Sequence, residues 1–399
     1  MLVISHADVV LRDRIVSGAT IVVDGERIAA VHADARVSPQ RGTHLDARGG
    51  LVLPGFVDVH VHGVVGHDVL DGGDALTAIA STLPQFGVTT FCPTTVACPP
   101  EALRDVLTQV RARREVPIDG SARVHGAHLE SNFINPEMKG AQPEEYICAA
   151  PGEGAPGSRV SGDDILAVIA AHRPEVAIVT LAPEVPGGLE LVCRLVDMGI
   201  IVSVGHSAAD FALANEAFDA GARHTTHLFN RMLPLGHREP GLAGAALSRD
   251  EVTIELICDG RHVHPSMVRF AIASKGAMGV VAISDGTAGA GLASGACAKL
   301  GGQRITVAAD AAYLDDGTLA GSTLTMDGAF RMLVHRAGQS VIDAAAMCAT
   351  SPAAALRLDD RGAIAPGRLA DLVILDHEHR VLHTCVAGRV VYSREQATT

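Results

Sequence analysis

Six residues of this sequence have the types and spacing for metal chemistry: His60, His62, Glu130, His206, His227 and Asp285. His60 and His62 stand two apart in GFVDVHVHG, and an extended backbone points positions i and i+2 to one face, so they form a chelating pair. Imidazole and carboxylate donors together suit a divalent metal, zinc first and iron as the alternative, and a set of this size with two carboxylates can hold one or two ions. A lone histidine such as His172 or His383 carries no such implication; an ordinary hydrogen bond accounts for it.

These residues need elements that bring them together. From Leu53-Pro54-Gly55 onward the chain alternates short apolar runs with helical stretches. The runs lie at 55–63, 88–96, 123–131, 176–184, 200–207, 224–230, 253–260 and 279–286. Segments such as EALRDVLTQVRAR and DFALANEAFDAG between them carry helical periodicity. Eight near-continuously apolar strands with intervening helices imply a parallel barrel of the (β/α)8 TIM type, buried on both faces, rather than a doubly wound open sheet. All six residues then fall at C-terminal strand ends, the rim where barrel enzymes assemble their sites. Two-ion barrel hydrolases join their ions through a carboxylated lysine or a carboxylate; Lys139, Lys275 and Lys299 are the only lysines and none ends a predicted strand, which leaves Glu130 as the better bridge. Both chain ends read as β-rich with turn signals at Asp24-Gly25, Pro366-Gly367 and Ala387-Gly388. Residues 1–54 and 356–399 are therefore expected to make one small β-sandwich domain beside a barrel at 55–355.

Composition excludes several classes. With a formal charge of -13 and no basic cluster, the chain is not a nucleic-acid binder. No apolar run is long enough to cross a membrane and the N-terminus lacks the pattern of a signal peptide, so a cytoplasmic location is expected. The eight cysteines are scattered, which fits reduced, mostly buried thiols.

The motifs LPGFVDVHVHG, HLESNFINPEMKGA, VGHSAAD, THLFNRM, REPGLAGA, DGRHVHP and ISDG, with LAGSTLTMDGA and the tail ATSPAAALRLDDRGAIAPGRLADLVILD, resemble the N-acetylglucosamine-6-phosphate deacetylase family of the amidohydrolase superfamily. The resemblance runs nearly the whole chain. It implies Glu130, His206 and His227 as principal metal ligands, His60 and His62 as ligands of a second ion, and Asp285 as the catalytic aspartate. It implies Asn230, Arg238 and His262 as sugar-phosphate contacts, with Arg238 reaching across from a second subunit of a homodimer. The reaction implied is hydrolysis of the acetamide of N-acetylglucosamine 6-phosphate to acetate and the free amino sugar phosphate. A bound metal lowers the pKa of its water toward ~7, and Asp285 acts as base and then as acid to the departing nitrogen.

The sequence departs from the family at several places. The loop after Glu130 reads Ser131-Asn132 where the family has Gly-Pro, and Gln142 stands where the family has a histidine that polarises the substrate carbonyl. Gln can donate a neutral hydrogen bond but carries no charge. Arg231 replaces a small residue beside the phosphate site, either adding an anion contact or blocking the usual sugar phosphate. Arg238, in GHREPG, has as its alternative a surface pairing with Glu239. Two other readings stay open: an amidohydrolase shifted to another N-acyl amino sugar, an N-acyl amino acid or a cyclic amide, and a sugar-phosphate-binding homologue without catalysis. The long loop from Asn132 to Arg159 is a candidate lid.

Overall fold

In the computed structural model, which describes residues 1–33, 42–151, 157–309 and 311–394, the barrel strands, numbered here on their own, are β1 (Phe56–Val61), β2 (Val88–Thr95), β3 (Ala127–Glu130), β4 (Val176–Leu181), β5 (Ile201–Val204), β6 (His224–Thr225), β7 (Thr253–Ile257) and β8 (Val280–Ile283). Each pairs in parallel with the next. The ring closes between β8 and β1: the Asp285 N–H donates to the His60 carbonyl at 2.9 Å, and the His62 N–H donates to the Gly286 carbonyl at 2.8 Å. All eight residues of β2, VTTFCPTT, are buried, as a strand covered on both faces requires.

One helix follows each strand: α1 (Ala75–Thr82), α2 (Pro100–Glu115), α3 (Gly162–Ala171), α4 (Gly188–Asp197), α5 (Phe211–Asp219), α6 (Gly241–Ser248), α7 (Pro265–Lys275) and α8 (Met326–His335). Helix α2 shows why. Leu103, Val106, Leu107 and Val110 repeat at helical spacing and are the residues it buries, each contributing about 2 kcal/mol of apolar transfer. Pro100 opens the helix at a position that needs no N–H donor, and Arg113 and Arg114 sit in its last turn against the negative end of the dipole. Helix α5 starts at Asp210, whose carboxylate accepts the Leu213 N–H at 2.8 Å.

Strands from both chain ends form one mixed sheet, in the order Arg389–Ser393, Val381–Val386, Leu372–Leu375, Leu51–Pro54, Leu2–Val10, Ile15–Asp24 and Arg27–His32. Thr43–Asp46 pairs with the first half of Leu2–Val10, while Leu51–Pro54 pairs with its second half. His6, with φ of 50°, bends the strand between the two halves. This sheet has its own core of Ile4, Val9, Ile21, Val52, Leu372 and Ile374. Ala387 and Gly388 both take positive φ, as a two-residue hairpin turn of the primed type requires.

Two features lay outside the sequence reading. A three-stranded antiparallel sheet, Cys297–Leu300, Gln303–Val307 and Ala312–Leu314, follows β8. A helical run from Val341 to Ala355, interrupted by a wide turn at Ala346–Thr350, packs against β1 and β8. In the candidate lid, residues 152–156 lie outside the described residues, and Asn132 ties the start of the loop down by donating to the carbonyls of Cys98 at 2.8 Å and Tyr146 at 2.7 Å. Among the described residues no helix is long and apolar enough to cross a membrane. Cys193 and Cys297 are exposed and the remaining cysteines are buried and unpaired.

Candidate metal centre and active site

The C-terminal rim of the barrel brings the six residues into two adjoining groups. His60, His62 and Asp285 make one, and Glu130, His206 and His227 the other, all of them buried. In the first, the Nε2 atoms of His60 and His62 lie 3.2 Å apart, and Asp285 Oδ1 is 3.4 Å and 3.2 Å from them. In the second, Glu130 Oε1 is 2.9 Å from Nε2 of both His206 and His227, whose two Nε2 atoms are 3.0 Å apart. Glu130 also faces the first group, with Oε1 3.7 Å from His60 Nε2 and Oε2 3.5 Å from His62 Nε2. It therefore stands between the two groups.

This donor set fits a divalent cation. Paired imidazole nitrogens at 3.0–3.2 Å cannot both carry hydrogen without repulsion, and neutral imidazoles aim two lone pairs at one point. The Nδ1 atoms of His62 and His227 are buried without a hydrogen-bond partner, which leaves Nε2 as the working atom of each ring. The electrostatics agree. Burial alone lowers the pKa of His60, but the carboxylates of Glu255, Asp285 and Glu130 outweigh it and lift the ring to about 10. Glu130, against the cost of burial, is held well below the usual carboxylate range by His206, His227 and His60. Asp285 is likewise held low by His60 and His62. Positive charge in the middle of this cluster is strongly favoured. A third grouping, His60, His128 and Glu255, is not a metal site. His128 uses both ring nitrogens elsewhere, Nδ1 at 2.9 Å from the Val59 carbonyl and Nε2 at 2.7 Å from Thr180 Oγ1.

His206, His227 and Asp285 sit just beyond β5, β6 and β8 with φ of 47°, 29° and 47°. A non-glycine residue in the left-handed region costs on the order of 1–3 kcal/mol, and such strain collects at functional sites. Strand β6 is only two residues long, and the chain turns at His227 just beyond it. The His227 N–H is held there by Glu255 Oε2 at 3.1 Å.

A cavity of about 360 Å³ opens above this cluster, lined by His62, Glu130, His206, His227 and Asp285 together with Gln142, Asn230, Arg231 and His262. His262 is oriented by Asp259, whose Oδ2 is 2.6 Å from its Nδ1. Asn230 donates to the His227 carbonyl at 3.1 Å. Gln142 is engaged on both sides: its Oε1 accepts the Ala97 N–H at 2.7 Å, and its Nε2 donates to Glu130 Oε2. Only the second amide hydrogen of Gln142 is left for a substrate. Arg238 does not line the cavity; it is exposed, and among the described residues it has no ion-pair partner. Glu239 instead accepts from the backbone N–H groups of Phe211 and Gly241, at 2.8 and 2.9 Å.

Sequence reasoning missed the polar layer below the metal residues. Glu255 touches His60 and His224, and Asp58 accepts from Ser284. Burial raises Asp58 to about 6 against those hydrogen bonds. For Asp58 the signal was available, because it alternates with His60 and His62 and so shares their face.

Buried carboxylates beside convergent imidazoles at the mouth of a parallel barrel define a class, the barrel hydrolases that work with a metal. A match to the family described as "Amidohydrolase family" spans residues 51–391. N-acetylglucosamine-6-phosphate deacetylase of Bacillus subtilis (strain 168) is 34% identical over 402 residues, covering 99% of this chain and 98% of that protein. N-acetylgalactosamine-6-phosphate deacetylase of Escherichia coli O157:H7 is 33% identical, covering 88% and 90%. The solved structure of the Mycobacterium smegmatis deacetylase in complex with N-acetyl-D-glucosamine-6-phosphate superposes with a TM-score of 0.87 at 32% identity, covering 98% of this chain and 99% of that one. The chain belongs to the amidohydrolase family and, within it, to the N-acetylglucosamine-6-phosphate deacetylases.

Proposed function

We propose that this protein hydrolyses the acetamide of N-acetylglucosamine 6-phosphate, releasing acetate and glucosamine 6-phosphate. The observation that carries the reading is Asp285: a buried carboxylate held ionised by His60 and His62, in contact with the metal residues and open to the same cavity as Asn230, Arg231 and His262. His60, His62, Glu130, His206 and His227 would hold a divalent ion, which when bound would supply an acidified water and polarise the carbonyl. Asp285 takes the proton of the attacking water and returns it to the nitrogen as the C–N bond breaks. Asn230, Arg231 and His262 hold the sugar phosphate, so that binding far from the amide orients the reacting carbon. Zinc would match the imidazole and carboxylate donors, and the two groups, with Glu130 between them, would hold two ions.

The protein acts as a cytoplasmic homodimer in which Arg238 completes the phosphate site of the partner. Support comes from the exposure of Arg238 away from its own cavity and from apolar side chains left exposed nearby in sequence and on neighbouring helices: Phe211 on α5, Leu235 before α6, and Met267 and Phe270 on α7. The first test is acetate release from N-acetylglucosamine 6-phosphate by zinc-loaded protein, with Asp285→Asn as the blank. Turnover that disappears in the variant supports the reading; no turnover with metal bound removes it. The galactosamine epimer, assayed in parallel, decides the sugar configuration. Mixing Arg238→Ala with Asp285→Asn then tests the shared site, because a mixed dimer regains one complete active site and mixing two self-contained subunits regains nothing.

A further inference from the structure

Glu255 on β7 lies directly beneath the metal residues with no exposed surface. Its Oε2 is 3.0 Å from His60 Nδ1 and accepts the His227 N–H at 3.1 Å, while its Oε1 is 3.0 Å from His224 Nε2. An ionised carboxylate only accepts, so both imidazole nitrogens that face it carry hydrogen. Hydrogen on Nδ1 leaves the lone pair of His60 on Nε2, the atom that faces Asp285 at 3.4 Å and Glu130 at 3.7 Å. No comparable partner fixes the other histidine of the pair, because Nδ1 of His62 is buried without one. In the second group, His206 Nδ1 lies 2.7 Å from the Met138 carbonyl and is oriented independently of Glu255. The first group therefore depends on Glu255 for its one oriented imidazole, whereas in the second group Glu255 meets only the His227 backbone N–H and holds neither ring.

We propose that Glu255 is a positioning residue that enables the His60, His62 and Asp285 group to hold an ion, by fixing the tautomer and ring orientation of His60. The proposal rests on the two-ion reading given above. Carboxylates that hold the far nitrogen of a ligand histidine are typically worth 10–100-fold in metal affinity. Here that effect falls on one ion of the pair. Glu255→Gln keeps the shape of the side chain but cannot accept from both imidazoles, since its amide nitrogen only donates.

The test is the zinc content per subunit and the affinity of each ion, measured by mass spectrometry after equilibration in buffered zinc, for wild type, Glu255→Gln, His60→Gln and the double variant. Wild type is expected to hold two ions. Glu255→Gln should keep the tighter ion at wild-type affinity and bind the other at least tenfold more weakly. The double variant should be no worse than His60→Gln alone. Two ions at wild-type affinities in Glu255→Gln overturn the proposal. Equal weakening of both ions overturns it as well, because that marks a general structural role. A wild type that holds a single ion overturns both this proposal and the two-ion reading. If Glu255→Gln yields no folded protein, Glu255→Asp takes its place: it keeps the charge with a shorter reach, so the same selective weakening is expected, and unchanged affinity overturns the proposal.

Discussion

At the residue scale, three side chains decide what the site can do. On the proposed mechanism Asp285 moves the proton, and its replacement by Asn should lower turnover about 10²–10⁴-fold; turnover near the wild-type rate would remove it from that role. Gln142 joins Glu130 to the Ala97 N–H. Gln142→Ala leaves both of those buried groups short of a partner, which should cost about 2 kcal/mol in denaturant unfolding of the metal-free protein, and no loss would show that water replaces the amide. His60 gives the site a pH dependence. Its folded pKa of about 10 lies above the unfolded value of about 6.5, so its stabilisation is complete below pH 6.5 and is lost as pH rises through about 10. Metal-free protein should accordingly melt at lower temperature as pH is raised from 7 to 10, and zinc-loaded protein should not, because the ion takes the proton's place. A flat profile for the metal-free protein would count against the charged cluster. The gathering of the six residues at the rim was legible in the sequence because each ends an apolar run, and strand alternation fixes which way His60 and His62 point. Glu255 and His224 were not, since an acid inside TIELICDG acquires meaning only once β7 lies beside β6 and its side chain reaches His60 of β1 in the barrel interior.

At the element scale, the strands position chemistry only if they approach closely at the rim. Gly205 lies between β5 and His206, and a Cβ there would stand 2.7 Å from Thr226 Cβ and 3.2 Å from Thr180 Cγ2. Gly205→Ala forces those neighbours to move, at a cost of about 1–3 kcal/mol. It should also reduce zinc retention by displacing His206, so melting temperature and metal content should fall together; a variant with both unchanged would show that the rim has slack. The eight strands and the helices DALTAIASTLPQF, EALRDVLTQVRAR, GLELVCRLVDMG and DFALANEAFDAG were readable because their periods differ so clearly. The sheet from Cys297 to Leu314 was not, because its strands are short and its faces only partly buried, which leaves little hydrophobic pattern to read.

For the whole molecule, the sheet shared by the two chain ends is the feature with the widest reach. Leu51–Pro54 pairs with Leu372–Leu375, and Leu372, Ile374 and Cys385 fill one core with Ile4, Ile21 and Val52. Removal of residues 372–399 exposes that core and an unpaired strand edge, and the truncated chain should aggregate on expression; recovery of folded, zinc-binding protein would show that the barrel stands without the shared sheet. The same pairing has a consequence during synthesis. A chain that leaves the ribosome at ~5–20 residues per second must keep the Leu51–Pro54 edge unpaired for roughly 16–64 s before its partner strand is made. Barrel closure between β1 and β8 imposes a wait of the same kind at the rim, because His60 and His62 emerge long before Asp285 can join them.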